Sequence, residues 1–329
     1  MRRRSKKITG FSLFAGAALL LAPIVFYGQE KPAPQKPVAK GDDSGDAIFS
    51  TDSRLVPLNV TVTDKTGHLV TNLPKSAFQI YESGTLQQIK DFKREDVPVS
   101  LGLIVDNSGS MRDKRQAVEA AALALVRDSN PQDEAFIVNF NDEAYLDADF
   151  TSDIKVMEQG LTKIDSRGGT AMRDAIRMSI DHLKEKAKRD KKVILVVTDG
   201  NDNASVATLD ALVHQAQQED VLIYAIGLLS EEEKKEASKA KRALNLLVES
   251  TGGQPFYPKD VSEVDRIAHE VARDIRNQYT ITYTPTNPAL DGSFRPIKVV
   301  VKAPGNPIAR TRTGYYATAK TPVSAAKRP

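Results

Sequence analysis

The chain has 329 residues, 40% hydrophobic and 27% charged, the make-up of an ordinary globular protein, and this excludes wholesale disorder. Its formal charge of +3 rests on Arg2, Arg3, Arg4, Lys6 and Lys7; without those five charges it becomes −2, so nothing draws the bulk of the chain to nucleic acid. Cysteine is absent, which removes disulfides, thiolate metal sites, cysteine nucleophiles and lipoprotein acylation together. Any metal must sit on oxygen or imidazole, and His68, His182, His214 and His269 are too scattered to form a His-Glu-x-x-His zinc pair.

The basic start from Met1 to Lys7 runs into an uncharged, apolar stretch from Ile8 to Gly28. Residues 1–28 therefore read as a secretory signal. No small residues mark a clear cleavage site, and the run is about the ~20 residues that span a bilayer, so an uncleaved N-terminal anchor is the competing reading. Either places the remainder outside the cytoplasm, in the periplasm, the cell envelope or the medium. Residues 29–52 (with KPAPQKPVAKGDDSGD) cannot bury a core and read as an extended Pro/Lys-rich linker.

From 53 to 96 the pattern is β. Leu55, Leu58, Val60 and Val62 belong to one run, a turn follows at Asp64–Gly67, and further runs carry Phe78, Ile80 and Tyr81, then Ile89 and Phe92. At Val97 the grammar changes to apolar strands alternating with helices: strands over Ser100–Val105, Ala135–Phe140, Val193–Thr198 and Val221–Ile226. Helices are expected over Lys114–Arg127, Ile154–Ile164, Arg173–Ala187, Leu209–Gln217, Lys241–Glu249 and Val261–Asn277. This predicts an α/β, Rossmann-like, mostly parallel sheet with helices on both faces over 97–277. Strand patterns return over 278–318, at Tyr279–Tyr283, Ile297–Val301 and Arg310–Ala317. Three strands at each end make poor isolated sheets, so the expectation is one β-sandwich-like domain built from both ends, with the α/β part inserted. Residues 319–329 read as a disordered tail.

Chemistry concentrates at strand ends. The first α/β strand runs out as LGLIVDNSGSM from Leu101 to Met111, delivering Asp106, Ser108 and Ser110. The third ends in Thr198-Asp199-Gly200, and Arg167-Gly-Gly-Thr170 places a hydroxyl on a turn before a helix. In parallel α/β sheets ligands gather at the carboxyl ends of strands. A serine there can equally be a helix cap. Two acids at two strand ends would repel one another unless a cation lay between them, and no basic residue stands among these five. Two carboxylates and three hydroxyls are hard oxygen donors, suited to Mg²⁺, with Mn²⁺ or Ca²⁺ as alternatives, over zinc or copper. Asp199, Asn201 and Asn203 also alternate as in an EF-hand, but Ala204 and Asp210 stand where its Gly and Glu belong.

These residues resemble the von Willebrand factor A domain: Asp106-x-Ser108-x-Ser110 matches that family's metal-ion-dependent adhesion site, and Thr170 and Asp199 match its two remaining positions. The flanking strands are similar to those of bacterial exported proteins related to that family. The resemblance implies that Ser108, Ser110 and Thr170 ligate the metal and that Asp106 and Asp199 act largely through water. It also implies that a partner's Asp or Glu completes the shell. With only two anionic ligands the cation keeps the positive charge this needs. The expected function is thus an exported, cation-dependent protein-binding module, for adhesion or scaffolding, and not an enzyme. Two rival readings are an Mg²⁺-dependent phosphoryl-transfer or hydrolytic enzyme using the strand-end acid as nucleophile, and a purely structural metal site. No Gly-x-Ser-x-Gly elbow, phosphate-binding Gly-Lys loop or dinucleotide fingerprint is present, and no lysine lies within the motif.

Overall fold

A computed structural model describes residues 55–318, apart from residues 95, 129, 164, 165 and 230–233. The signal or anchor, the linker and the tail expected from the sequence lie outside the described residues. Among the described residues no helix is long and apolar enough to cross a membrane.

The centre is a six-stranded sheet built from β5 (Val99–Asp106), β6 (Glu134–Phe140), β7 (Ala144–Thr151), β8 (Lys191–Thr198), β9 (Val221–Gly227) and β10 (Pro255–Phe256). Its order is β10-β9-β8-β5-β6-β7, parallel throughout except where β7 joins antiparallel to β6. Every residue of β5, β6 and β9 is buried, which is why those segments read as near-continuous apolar runs. One face is covered by α1 (Arg115–Arg127), α2 (Ile154–Leu161) and α6 (Val264–Arg276), whose Leu125, Met157 and Val271 pack with Leu103 and Leu195. The other is covered by α3 (Met172–Lys186), α4 (Leu209–Gln218) and α5 (Lys234–Thr251), whose Ile176, Leu212 and Leu247 pack with Ile104 and Val196. Gly102 lets the two inner strands close up, since a Cβ there would stand 2.6 Å from the Phe136 ring.

The sequence before and after this unit meets in two four-stranded antiparallel sheets. The early strands are β1 (Val56–Thr63), β2 (Phe78–Glu82), β3 (Thr85–Gln87) and β4 (Ile89–Lys93). The late ones are β11 (Tyr279–Tyr283), β12 (Phe294–Val301), β13 (Ile308–Arg310) and β14 (Gly314–Tyr316). β11 lies between β1 and β4, with Leu58 opposite Ile281, and β12 lies between β2 and β14, with Val299 opposite Ile80. Leu58, Val60, Ile80, Tyr279, Ile281 and Tyr283 share one core between the sheets, as sandwich packing requires.

Three expectations need correction. The strand expected over Arg310–Ala317 is two strands, β13 and β14, one in each sheet, because Thr311–Thr313 carries the chain across. β7 was not expected at all; it is an edge strand whose mixed, mostly part-buried or exposed pattern and irregular register blur the alternation. α5 begins at Lys234, well before Lys241.

Candidate functional site

Asp106 ends β5, and Asp199 follows the end of the neighbouring strand β8. The two acids therefore stand side by side for a topological reason. Three loops close over them. The Gly109 N–H donates to the Gly168 carbonyl at 3.3 Å and the Arg167 N–H to the Asn107 carbonyl at 2.9 Å, which joins the first loop to the second. The Asn203 and Ala204 N–H groups donate to the Thr170 carbonyl at 3.1 and 3.2 Å, which joins the second to the third.

Within this frame Asp106, Ser108, Thr170 and Asp199 are buried and Ser110 is exposed. Asp106 Oδ1 accepts the Ser108 N–H at 2.8 Å, and Oδ2 accepts the Thr198 hydroxyl at 2.6 Å. Ser108 Oγ and Ser110 Oγ are 3.2 Å apart, and the Ser110 hydroxyl donates to Asp199 Oδ1 at 2.8 Å. Four of the five expected residues are thereby linked through one chain of contacts. Thr170 comes from the facing loop, its Oγ1 lying 3.6 Å from where a Cβ on Gly200 would stand.

Burial pushes the Asp106 carboxyl up to about 6, against the hydrogen bonds from Thr198 and Ser108, and the charge of Asp199 pushes the same way. A buried carboxylate so raised is one that a bound cation would relieve. The donor set fits a hard divalent ion, because the five side chains offer only hydroxyl and carboxylate oxygens. Among the described residues no group of three or more His, Cys, Asp or Glu side chains is placed to hold a metal. A cation here would depend on hydroxyls as much as on its two acids.

The structure adds residues that sequence reasoning missed. Thr198, one residue before Asp199, holds Asp106. Asn107 donates to Asn139 Oδ1 at 2.9 Å, fixing the first loop against β6. None of the five residues is basic, but the fold brings a lysine to them: Lys114 Nζ is hydrogen-bonded and ion-paired to Asp199 Oδ2. Lys114 precedes α1, and nothing in the sequence separates it from Arg112 or Arg115. The polar loop after Asp199 is consumed internally: Asn203 Oδ1 accepts the Thr170 N–H at 2.9 Å, and Asp202 pairs with Arg173 at 3.0 Å. It forms no second ligand cage.

Residues 101–201 match the family model of the von Willebrand factor type A domain. The chain is 25% identical over 169 residues, 49% of its length, to calcium-activated chloride channel regulator 1 of Equus caballus, and the match covers 17% of that relative. It is similar to the vWF domain of the type V pili tip protein Mfa5 of Porphyromonas gingivalis, with a TM-score of 0.44, 14% identity, and coverage of 55% of this chain and 97% of that one. It is also similar to proximal thread matrix protein 1 of the mussel byssus, determined with a zinc-occupied MIDAS motif, with a TM-score of 0.48, 16% identity, and coverage of 59% and 49%. The family match spans both strand-end acids and the turn at Thr170.

Proposed function

We propose that the chain is an exported, non-enzymatic binding protein. In this reading Asp106, Ser108, Ser110, Thr170 and Asp199 hold a divalent cation, Mg²⁺ by preference with Mn²⁺ or Ca²⁺ as substitutes, and the bound cation takes an Asp or Glu side chain from a protein partner. The type A domain occupies 97–277, and residues 53–96 and 278–318 form the body that carries it. The signal or anchor over 1–28 places it in the periplasm, cell envelope or medium.

The observation that supports this best is the Ser110 hydroxyl, which touches Ser108 on one side and Asp199 on the other. It joins the Asp-x-Ser-x-Ser loop to the second strand-end acid, as a shared cation would require. The enzyme reading loses one of its objections, since a lysine does reach the site. Asp106 counts against it: both oxygens are engaged and the residue is 1% exposed, which does not suit a nucleophile that must reach a substrate.

Calorimetric titration with Mg²⁺ and Mn²⁺ tests the cation, and a pull-down from envelope extracts with and without EDTA tests the partner. Wild type should bind one divalent ion and retain a chelator-sensitive partner, and Asp106→Ala should do neither while keeping its circular dichroism spectrum. Wild type that ignores both metals, or a partner retained in EDTA, refutes the proposal. Metal-dependent melting without any chelator-sensitive partner would leave only a structural ion.

A further inference from the structure

We infer that Lys114 is a built-in counter-ion of the cation site. A divalent ion must displace it from Asp199, and once displaced it supplies the surplus positive charge with which the loaded site captures an anionic group. This rests on the cation reading above and adds a residue that the Asp-x-Ser-x-Ser pattern does not contain.

The argument starts from Asp199, whose side chain is 1% exposed. A carboxylate so enclosed needs a donor on each oxygen. Ser110 supplies Oδ1 and Lys114 supplies Oδ2, so the ammonium fills the electrostatic role that a metal would otherwise take. Three other basic groups nearby are committed elsewhere. Arg112 donates to the Ser166 carbonyl at 3.4 Å, Arg173 pairs with Asp202 at 3.0 Å, and Arg115 pairs with Glu119 at 2.6 Å. Lys114 can leave without disturbing the fold. Its N–H donates to the Met111 carbonyl at 3.0 Å and its carbonyl accepts the Val118 N–H at 3.2 Å, so the backbone stays fixed. Its side chain is already 30% exposed at the rim, and a lysine ammonium is a compact charge on a flexible stem.

Charge then decides the consequence. The sequence expectation was that two anionic ligands leave the cation with positive charge to spare, but two carboxylates formally balance a divalent ion. Lys114 contributes the remaining +1. It therefore acts in opposite directions on the two steps, opposing entry of the metal and favouring arrival of a carboxylate. A general loss of structural integrity would weaken both steps together.

The test compares wild type, Lys114→Met, Lys114→Arg and Asp106→Ala. Mg²⁺ affinity is read by calorimetry, and acetate binding to the Mn²⁺-loaded protein by paramagnetic relaxation of its ¹³C resonance. Lys114→Met should bind Mg²⁺ at least about tenfold more tightly than wild type, because a competing charged hydrogen bond is gone. The same variant, loaded with Mn²⁺, should bind acetate severalfold more weakly. Lys114→Arg keeps the charge and should stay near wild type in acetate binding. Mg²⁺ affinity in Lys114→Met equal to or below that of wild type overturns the inference, and so does unchanged acetate binding. If wild type binds Mg²⁺ in a manner that Asp106→Ala abolishes while Lys114→Met changes nothing, the cation reading survives and only the counter-ion fails. If no variant binds metal, both fall.

Discussion

Removing the Asp274 carboxylate should unfasten the two halves of the molecule. Asp274 lies near the end of α6 and is 5% exposed. Its Oδ1 accepts the Thr61 hydroxyl of β1 at 2.7 Å, and its Oδ2 accepts the Tyr224 hydroxyl of β9 at 2.9 Å and the Arg310 guanidinium of β13. One side chain thus ties the sandwich to the central sheet. Thr61 and Tyr224 are buried, and Gln278 Nε2 already donates to both hydroxyls at 3.0 and 3.3 Å, so each hydroxyl loses its acceptor when the carboxylate goes. Two stranded hydroxyls cost about 1–3 kcal/mol each. Arg310 is 25% exposed at its side chain and recovers part of its loss from solvent. Asp274→Ala should therefore destabilise by about 4 kcal/mol, and Asp274→Asn, which keeps an acceptor, by roughly half as much. Equilibrium urea denaturation followed by circular dichroism measures both. A loss below about 1 kcal/mol for Asp274→Ala, within the range of an ordinary surface change, would show that the network is not what joins the halves.

Three further outcomes follow from the packing and the charges. Gly253→Ala should be severely destabilising, by more than about 3 kcal/mol in chemical denaturation, because its Cβ would stand 1.8 Å from the Ile223 carbonyl oxygen, a backbone atom that cannot move aside. Gly67→Ala should cost only about 1 kcal/mol, since nothing lies within 4 Å there and only its φ of +89° resists a side chain; equal losses at the two positions would refute the steric argument. Lys191 is buried, and burial pulls its ammonium down to about 8 while its Nζ donates to the Ile275 carbonyl at 2.6 Å. The unfolded chain holds that proton more tightly between about pH 8 and pH 10.5, so the Lys191 contribution to stability rises with pH across that window. The stability of wild type relative to Lys191→Met should grow by about 1.5 kcal/mol from pH 8 to pH 9.5 in urea titrations, and a flat difference would contradict the burial.

The sequence conveyed most where one physical cause dominated. β5, β6, β8 and β9 are covered on both faces, so their apolar runs could mean little else. That Asp106 and Asp199 stand at strand ends was legible because each directly follows an apolar run. What stayed hidden depends on partners far along the chain. β7 is held by pairing with β6 at an exposed edge, where little hydrophobic burial constrains its residues. The sheet switch between β13 and β14 is set by which strands await the chain on either side, not by its own composition. Lys114 meets Asp199 across 85 residues, and a lysine before a helix looks the same whether it faces solvent or a buried acid. Thr198 passed for an ordinary β-branched strand residue until Asp106 appeared beside it.

The insertion of the α/β unit has a mechanical meaning. The chain enters it just before Val99 and leaves it just after Arg276, and Lys191 at the start of β8 holds the Ile275 carbonyl. Both crossings therefore sit at the amino ends of the parallel strands, while Asp106 lies at the opposite end of β5, about 23 Å away at ~3.3 Å per residue. A load applied at that far pole would be shared by two covalent struts lying abreast. Such a mount resists swivelling in a way that a single hinge cannot.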